Sequence, residues 1–332
     1  MHHFCLSQSK SKILSPNGTR LDAWKPQFPV LENMAISLLK IETKSQREPH
    51  WHPNAHELGY CVAGQGIMTV YSPGSAHDTF TLEPGVLAFV PQGSIHYIEN
   101  IGTEPLEMIL CFNHEKPEEL ALSSSIGCMN DRVLASTLNL PNHFFDKIKK
   151  SKEPLFMTNK QRVHLSDYHY QTNRLKLNLR DIQPQLQNDG GWVKFGSAGL
   201  FPVLDGLAMY FLNLEHDGIR EPHWHPNAHE LNYLIKGTVR ITLLSPPNRV
   251  ETFDMVPGDI SFLPKGYFHH IENTGKDSAE LAIFFSNHFP SDIGLSACMG
   301  AFDNSVLTSL FGLPESYFNN MTKFQKNRLL VN

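Results

Sequence analysis

Histidine is the side chain best suited to hold a transition metal near neutral pH, and 18 of the 332 residues here are histidine. His50-Trp51-His52 is followed by Glu57, and His96 comes much later, after a Pro/Gly turn. In a strand, alternate side chains share a face. His50 and His52 therefore point the same way, about 6.6 Å apart, while Trp51 points away. Two imidazoles so placed can converge on one ion at about 2.1 Å. The turn Pro53-Asn54-Ala55 returns the chain to His56 and Glu57, and Gly85, Pro91, Gly93 and Asn100 frame His96. The same set recurs as His223, His225, Glu230 and His269, framed by Gly258, Pro264, Gly266 and Asn273. A lone strand histidine is ordinarily a satisfied core or surface residue; this combination, repeated at identical spacing, reads as two metal sites. Strand alternation turns His56, His229 and His270 away from their ligand neighbours, and Trp51 and Trp224 read as packing residues. Three neutral imidazoles and one carboxylate leave an octahedral ion open positions, which suits manganese first and iron second.

The elements that must position these residues occur twice. Arg-Glu-Pro-His-Trp-His-Pro-Asn-Ala-His-Glu-Leu begins at Arg47 and again at Arg220, an offset of 173 that holds without a gap over a long stretch. Phe28-Pro29-Val30-Leu31 maps onto Phe201-Pro202-Val203-Leu204, and Leu140-Pro141 onto Leu313-Pro314. Two long copies are not a solenoid but a duplicated domain. The expected organisation is a first domain over 17–150, a polar linker over 151–187 and a second domain over 188–330. Within a copy, residues 34–41, 58–62, 67–71, 86–90 and 108–112 are short apolar or alternating runs punctuated by Gly, Pro and Asn, the pattern of strands. Helices are predicted at 130–138 and 303–310, with a further turn at 144–149 and 317–323. The fold expectation is all-β: two tandem barrels, each followed by short C-terminal helices.

Composition removes other classes. Apolar residues are 41% and charged residues 18%, which argues against disorder and coiled coil. The net charge of −5 is spread along the chain, so neither nucleic acid nor a membrane surface is an expected partner. No apolar run approaches about 18 residues, and the first residues hold no apolar segment of about 7–15, so neither a spanning helix nor a secretory signal is read. Cys5, Cys61, Cys111, Cys128 and Cys298 lack CxxC spacing, which argues against a disulfide framework or zinc ribbon and fits a cytoplasmic setting.

His50-x-His52-x4-Glu57 with Gly85-x5-Pro91-x-Gly93-x2-His96-x3-Asn100, and their repeats, are the patterns of the cupin superfamily. Two in one chain, each opened by Arg-Glu-Pro-His-Trp-His, with Gly190-Gly191-Trp192 before the second, resemble the oxalate decarboxylase family of two-barrel cupins over about residues 17–330. The resemblance implies two Mn(II) ions per chain, held by His50, His52, Glu57 and His96 and by His223, His225, Glu230 and His269. It also implies a small carboxylate substrate and a homo-oligomer. Arg47 and Arg220 match the family's pocket arginine, whose guanidinium grips a carboxylate with two prongs. In a regular strand an arginine three residues before the first ligand faces the other way; a bend at Pro49 or Pro222 turns it inward. Leu110 and Ile283 stand where the family carries a late pocket glutamate. The connector after the last strand holds Glu118 and Glu119 in the first copy and only Asp292 in the second. The expected reaction is conversion of oxalate to formate and carbon dioxide in the first barrel, with Glu118 or Glu119 as proton donor. An oxidase or dioxygenase on the same metal, and a non-catalytic binder of a carboxylate or sugar, stand as alternatives.

Overall fold

The architecture is that of a computed structural model, which describes residues 1–9, 12–148, 150–159 and 174–332. The chain divides into two units, one of residues 8–181 with 203–206, the other of 1–7, 182–202 and 207–332. Each is a pair of antiparallel sheets facing one another across an apolar core, as the strand periodicity requires.

In the first unit, the larger sheet runs in the order Lys176–Asn178, Val86–Val90, Glu57–Ala63, Leu106–Phe112, Ala35–Ile41, Gly18–Ala23, Lys12–Ser15. The smaller runs Leu120–Ala121, Ser45–Trp51, His96–Asn100, Gly66–Ser72, Ala76–Leu82, with Met157–Asn159 also paired to Ser45–Trp51. Leu106 and Met108, on the face of the larger sheet that carries Glu57, are completely buried between the two. The second unit repeats the plan. Its larger sheet is His3–Cys5, Asp259–Leu263, Glu230–Lys236, Ala279–Phe285, Ala208–Leu214, Gly191–Gly196, Leu186–Asn188. Its smaller sheet is Arg249–Met255, Val239–Ser245, Phe268–Asn273, Ile219–Trp224, Ile293–Gly294, with Leu330–Val331 beside Ile219–Trp224. The all-β, two-barrel expectation is therefore met.

The helices follow each barrel. Asp131–Leu138 starts where predicted, because the Asn130 side chain accepts a hydrogen bond from the Val133 amide at 2.9 Å. Asn304–Phe311 ends at Gly312 with φ of 66°, a left-handed stop that glycine takes without strain. Near the turns predicted at 144–149 and 317–323, 3₁₀ segments form two residues earlier, at Asn142–Lys147 and at Glu315–Phe318, the second sharing only Tyr317 and Phe318 with its prediction; Lys149 lies outside the described residues. Two helices had no sequence signal, Leu122–Cys128 and Leu295–Ala301, since serine and glycine dilute their periodicity.

The stretch 151–187 contains structure of its own. Met157–Asn159 and Lys176–Asn178 each add a strand to the first unit, and Leu186–Asn188 opens the second, while 160–173 lies outside the described residues. His3–Cys5 pairs with Asp259–Leu263, just as Lys176–Asn178 pairs with Val86–Val90. These three-residue edges hold by backbone bonds, so they leave no alternating side-chain pattern to read.

Candidate metal centres

The strands Ser45–Trp51 and Ile219–Trp224 carry His50 and His223 and lead directly into His52 and His225, and their register explains the rest. His50 lies opposite His96, and Arg47 opposite Ile98, so three steps on one strand face two on the other. That is a β-bulge at Glu48-Pro49, and it brings Arg47 onto the face of His50. Proline is at home there because a bulge leaves one amide without a ladder partner. The second unit repeats the shift, with His223 opposite His269 and Arg220 opposite Ile271. The bend expected at Pro49 and Pro222 is thus present, and both arginines point inward: Arg47 is 2% exposed, and the Arg220 side chain 11%. Six residues before each first histidine, where the cupin pattern has glycine, Lys44 and Asp217 adopt φ of 59° and 60°, so the turn survives without the glycine.

The donor atoms of His50, His52, Glu57 and His96 all lie within 4.8 Å of one another, as do those of His223, His225, Glu230 and His269. All eight residues are buried. Every imidazole is oriented by its Nδ1, which donates to a backbone carbonyl. The acceptors are Glu48 O at 2.7 Å for His50, Glu118 O at 2.8 Å for His52 and Ser94 O at 3.1 Å for His96. In the second unit they are Glu221 O at 2.7 Å, Ser291 O at 2.8 Å and Tyr267 O at 2.8 Å. With Nδ1 carrying the proton, each Nε2 presents a lone pair to the centre. Burial, reinforced by Arg47 and Arg220, holds His50 and His223 well below the usual histidine range and hence neutral. Burial alone would raise Glu57 and Glu230, but the surrounding imidazoles override it and keep both carboxyls ionised, well below the usual carboxylate range.

The donor chemistry fits a divalent ion. In the first site His52 Nε2, His96 Nε2 and both Glu57 oxygens are buried without a hydrogen-bond partner, although the two nitrogens approach Glu57 Oε2 to 3.1 and 3.6 Å. Such atoms are costly unless something else is bound to them. In the second site His225 Nε2 and His269 Nε2 lie 2.9 and 3.3 Å from Glu230 Oε2, and Asn232 donates to Glu230 Oε1 at 2.8 Å. The first unit has Gly59 at the Asn232 position and no such bond.

The remaining expected residues fall around these clusters. Glu119 is ion-paired with Arg47 and, at 2.7 Å, with Arg20. Burial would raise its pKa, but the two guanidiniums pull it down to about 2. Asp292 makes the equivalent pair with Arg220. The Glu118 side chain is exposed, and its contribution is the carbonyl on His52. His56 accepts from the Gln92 amide at 2.8 Å and His229 from the Lys265 amide at 3.1 Å; each ties one loop to another and neither joins a cluster.

Several supporting residues were not singled out beforehand. Asn54 accepts from the Glu118 amide at 2.7 Å and donates to Lys116 O at 3.2 Å, which seats the connector so that Glu118 O reaches His52. Asn227 does the same for Ser291 and Phe289. Glu48 accepts from the Phe156 amide at 2.6 Å, and Glu221 from the Leu329 amide at 2.7 Å. The carbonyls of Phe156 and Leu329 then accept from Arg47 and Arg220 at 2.9 and 3.2 Å. The letter-for-letter repeat already contained Asn54 and Glu48; Arg20 and Asn232, unique to one copy, left no such mark.

Comparison with known proteins agrees with this geometry. A family model described as Cupin matches residues 5–143 and 177–316. Oxalate decarboxylase OxdC of Bacillus subtilis is 24% identical over 312 residues, covering 90% of this chain and 78% of that protein. A probable oxalate decarboxylase of Arthroderma benhamiae is 24% identical over 323 residues, covering 93% and 78%. A solved structure of the Bacillus subtilis oxalate decarboxylase at pH 4.6 superposes with a TM-score of 0.90 at 20% identity, covering all of this chain and 87% of that one, a likeness of fold. Mn(II) centres are described for that decarboxylase.

Proposed function

The chain belongs to the cupin family, and from that premise we propose that it is a manganese-dependent two-barrel enzyme that splits oxalate into formate and carbon dioxide in its first barrel. The observation that carries the proposal is the bulge that sets Arg47 on the same face as the four-donor cluster of His50, His52, Glu57 and His96. The oxalate decarboxylases among its relatives supply the substrate.

Mn(II), when bound, offers open positions for a carboxylate oxygen and one-electron chemistry that weakens the carbon–carbon bond. The protein's part is positioning. Arg47 and Arg20 form a cationic pair that Glu119 bridges. An incoming dicarboxylate takes the place of Glu119 on Arg47 and is held at both ends, one carboxylate at the cluster and one at the guanidinium. When the carbon–carbon bond breaks, carbon dioxide leaves. The electron pair stays on the retained carbon, which needs one proton to become formate. Glu119, held ionised between two arginines, is a positioning residue. Glu118 sits one residue away on the same connector and carries no such pairing, so the proposal assigns the proton to it; inward folding of 113–119 delivers it and shuts out water. The second barrel has Ser291 at that position.

The experiment is to load the protein with Mn(II), supply oxalate and measure formate, carbon dioxide and peroxide. Equal formate and carbon dioxide are expected. Glu118→Gln should lower formate release at least 100-fold with metal content unchanged. Peroxide with two carbon dioxide per oxalate would assign an oxidase instead, and binding without any product a non-catalytic carboxylate binder.

A further inference from the structure

The two barrels share a register but not an interior. Arg20 pairs with Leu39 and Asp22 with Ser37 across the first larger sheet; at the same places in the second, Val193 pairs with Leu212 and Phe195 with Tyr210. In the first barrel these positions form a charged chain. Arg20 binds Asp22 at 3.0 Å and Glu119 at 2.7 Å, Glu119 binds Arg47, and Ser37 donates to Asp22 at 2.8 Å. In the second barrel Arg20, Asp22 and Ser37 give way to Val193, Phe195 and Tyr210, and only the Arg220–Asp292 pair remains of the chain.

The replacement leaves a cavity of about 370 Å³, which reaches from the metal cluster along Val193, Phe195 and Tyr210 to Leu329. Its wall is aromatic and continuous. The Phe195 and Tyr210 rings are 4.4 Å apart, Tyr210 and Phe285 4.7 Å, and Phe285 and the ligand imidazole of His225 4.9 Å. Its polar lining is the cluster of His223, His225 and Glu230, Arg220 with its partner Asp292, and Lys326 and Asn327; an incoming carboxylate takes the place of Asp292 on Arg220. An apolar cavity of about 150 Å³ already holds a benzene ring, so this one is far too large for a two-carbon diacid. Oxalate placed here would also meet no counterpart of Arg20, whose position is taken by Val193.

We propose that the second barrel binds a ligand of a different class: a monocarboxylate bearing a ring-sized apolar body. The carboxylate sits at Arg220 and the metal cluster, and the body lies against Phe195, Tyr210 and Phe285. The inference rests on the two-metal reading of the sites.

The test uses the full-length protein loaded with Mn(II), its ion count measured first. Fewer than two ions per chain would overturn both the inference and the reading beneath it. With two ions present, calorimetric titration with phenylacetate should show one site per chain, and the paramagnetic ion should broaden the phenylacetate ring-proton resonances. Phe195→Asp, which installs the first barrel's residue, should weaken phenylacetate at least tenfold. Ile283→Phe, which fills the cavity without adding charge, should do the same while the ion count stays at two. No binding at millimolar phenylacetate, or binding unchanged in both variants, would overturn the inference. Formate production from oxalate is read separately: its loss beside intact phenylacetate binding sinks only the oxalate reading, and the converse sinks only this one.

Discussion

Asn232 makes a single side-chain contact with a ligand, its amide donating to Glu230 Oε1 at 2.8 Å, and also reaches Ser261 Oγ at 3.2 Å. It fixes one oxygen of the carboxylate and leaves the other toward the imidazoles, the kind of support that tunes metal affinity by about 10–100-fold. Asn232→Gly, the first barrel's residue, should weaken the second ion about tenfold and leave the first alone; chelator competition followed by elemental analysis reads both. Glu119 gives a pH dependence whose sign is fixed by its shift. Its pKa in the folded chain is about 2 against an ordinary 4.5, so the paired carboxylate stabilises the fold above pH 4.5, and that contribution disappears as pH falls from 4.5 toward 2. In Glu119→Gln the melting temperature should be lower at pH 7 but fall less steeply across that window. A parallel fall in both proteins would show that the arginine pairs contribute nothing to stability.

At the scale of elements, Asn54 seats the part of the connector 113–119 that reaches His52. Asn54 bonds both the Glu118 amide and the Lys116 carbonyl, and the connector in turn orients His52. Asn54→Ala should therefore loosen the first ion roughly tenfold without touching the second, and Asn227→Ala should do the reverse. Equal loss at both sites in either variant would point to a general fault of folding. The bulge at Glu48-Pro49 is the other decisive element, because one extra residue sets Arg47 beside His50 instead of behind it.

At the scale of the molecule, the second unit is completed by the N-terminal residues. His3–Cys5 covers the outer edge of Asp259–Leu263, His3 reaches Asp259 at 3.0 Å, and Leu6 is 1% exposed. Deleting residues 1–6 removes that leucine, worth about 1.5–3 kcal/mol of burial, and bares a strand edge. The second unit should melt several degrees lower and aggregate more readily. It should still bind its ion, because Glu230–Lys236 keeps Ala279–Phe285 as a partner. Scanning calorimetry with elemental analysis tests this, and loss of the ion at an unchanged melting temperature would contradict it.

Spacing alone determined the duplication, the β class and the two sets of four donors. A ligand set built on strand alternation and a repeated turn is written locally, and two diverged copies that agree at His50, His52, Glu57 and His96 mark it in the residues themselves. The tertiary structure decided the rest, since those features depend on what lies across a sheet. Arg47 faces inward because of a two-against-three register with His96–Asn100. Glu119 is an ionised partner of two arginines rather than a free acid because Gly18–Ala23 brings Arg20 to it. The short strands His3–Cys5 and Lys176–Asn178 attach through backbone bonds that impose no side-chain pattern. The charged interior of one barrel and the aromatic cavity of the other come from residues far apart in sequence. They become neighbours only when Gly18–Ala23 and Gly191–Gly196 fold over the metal-binding strands.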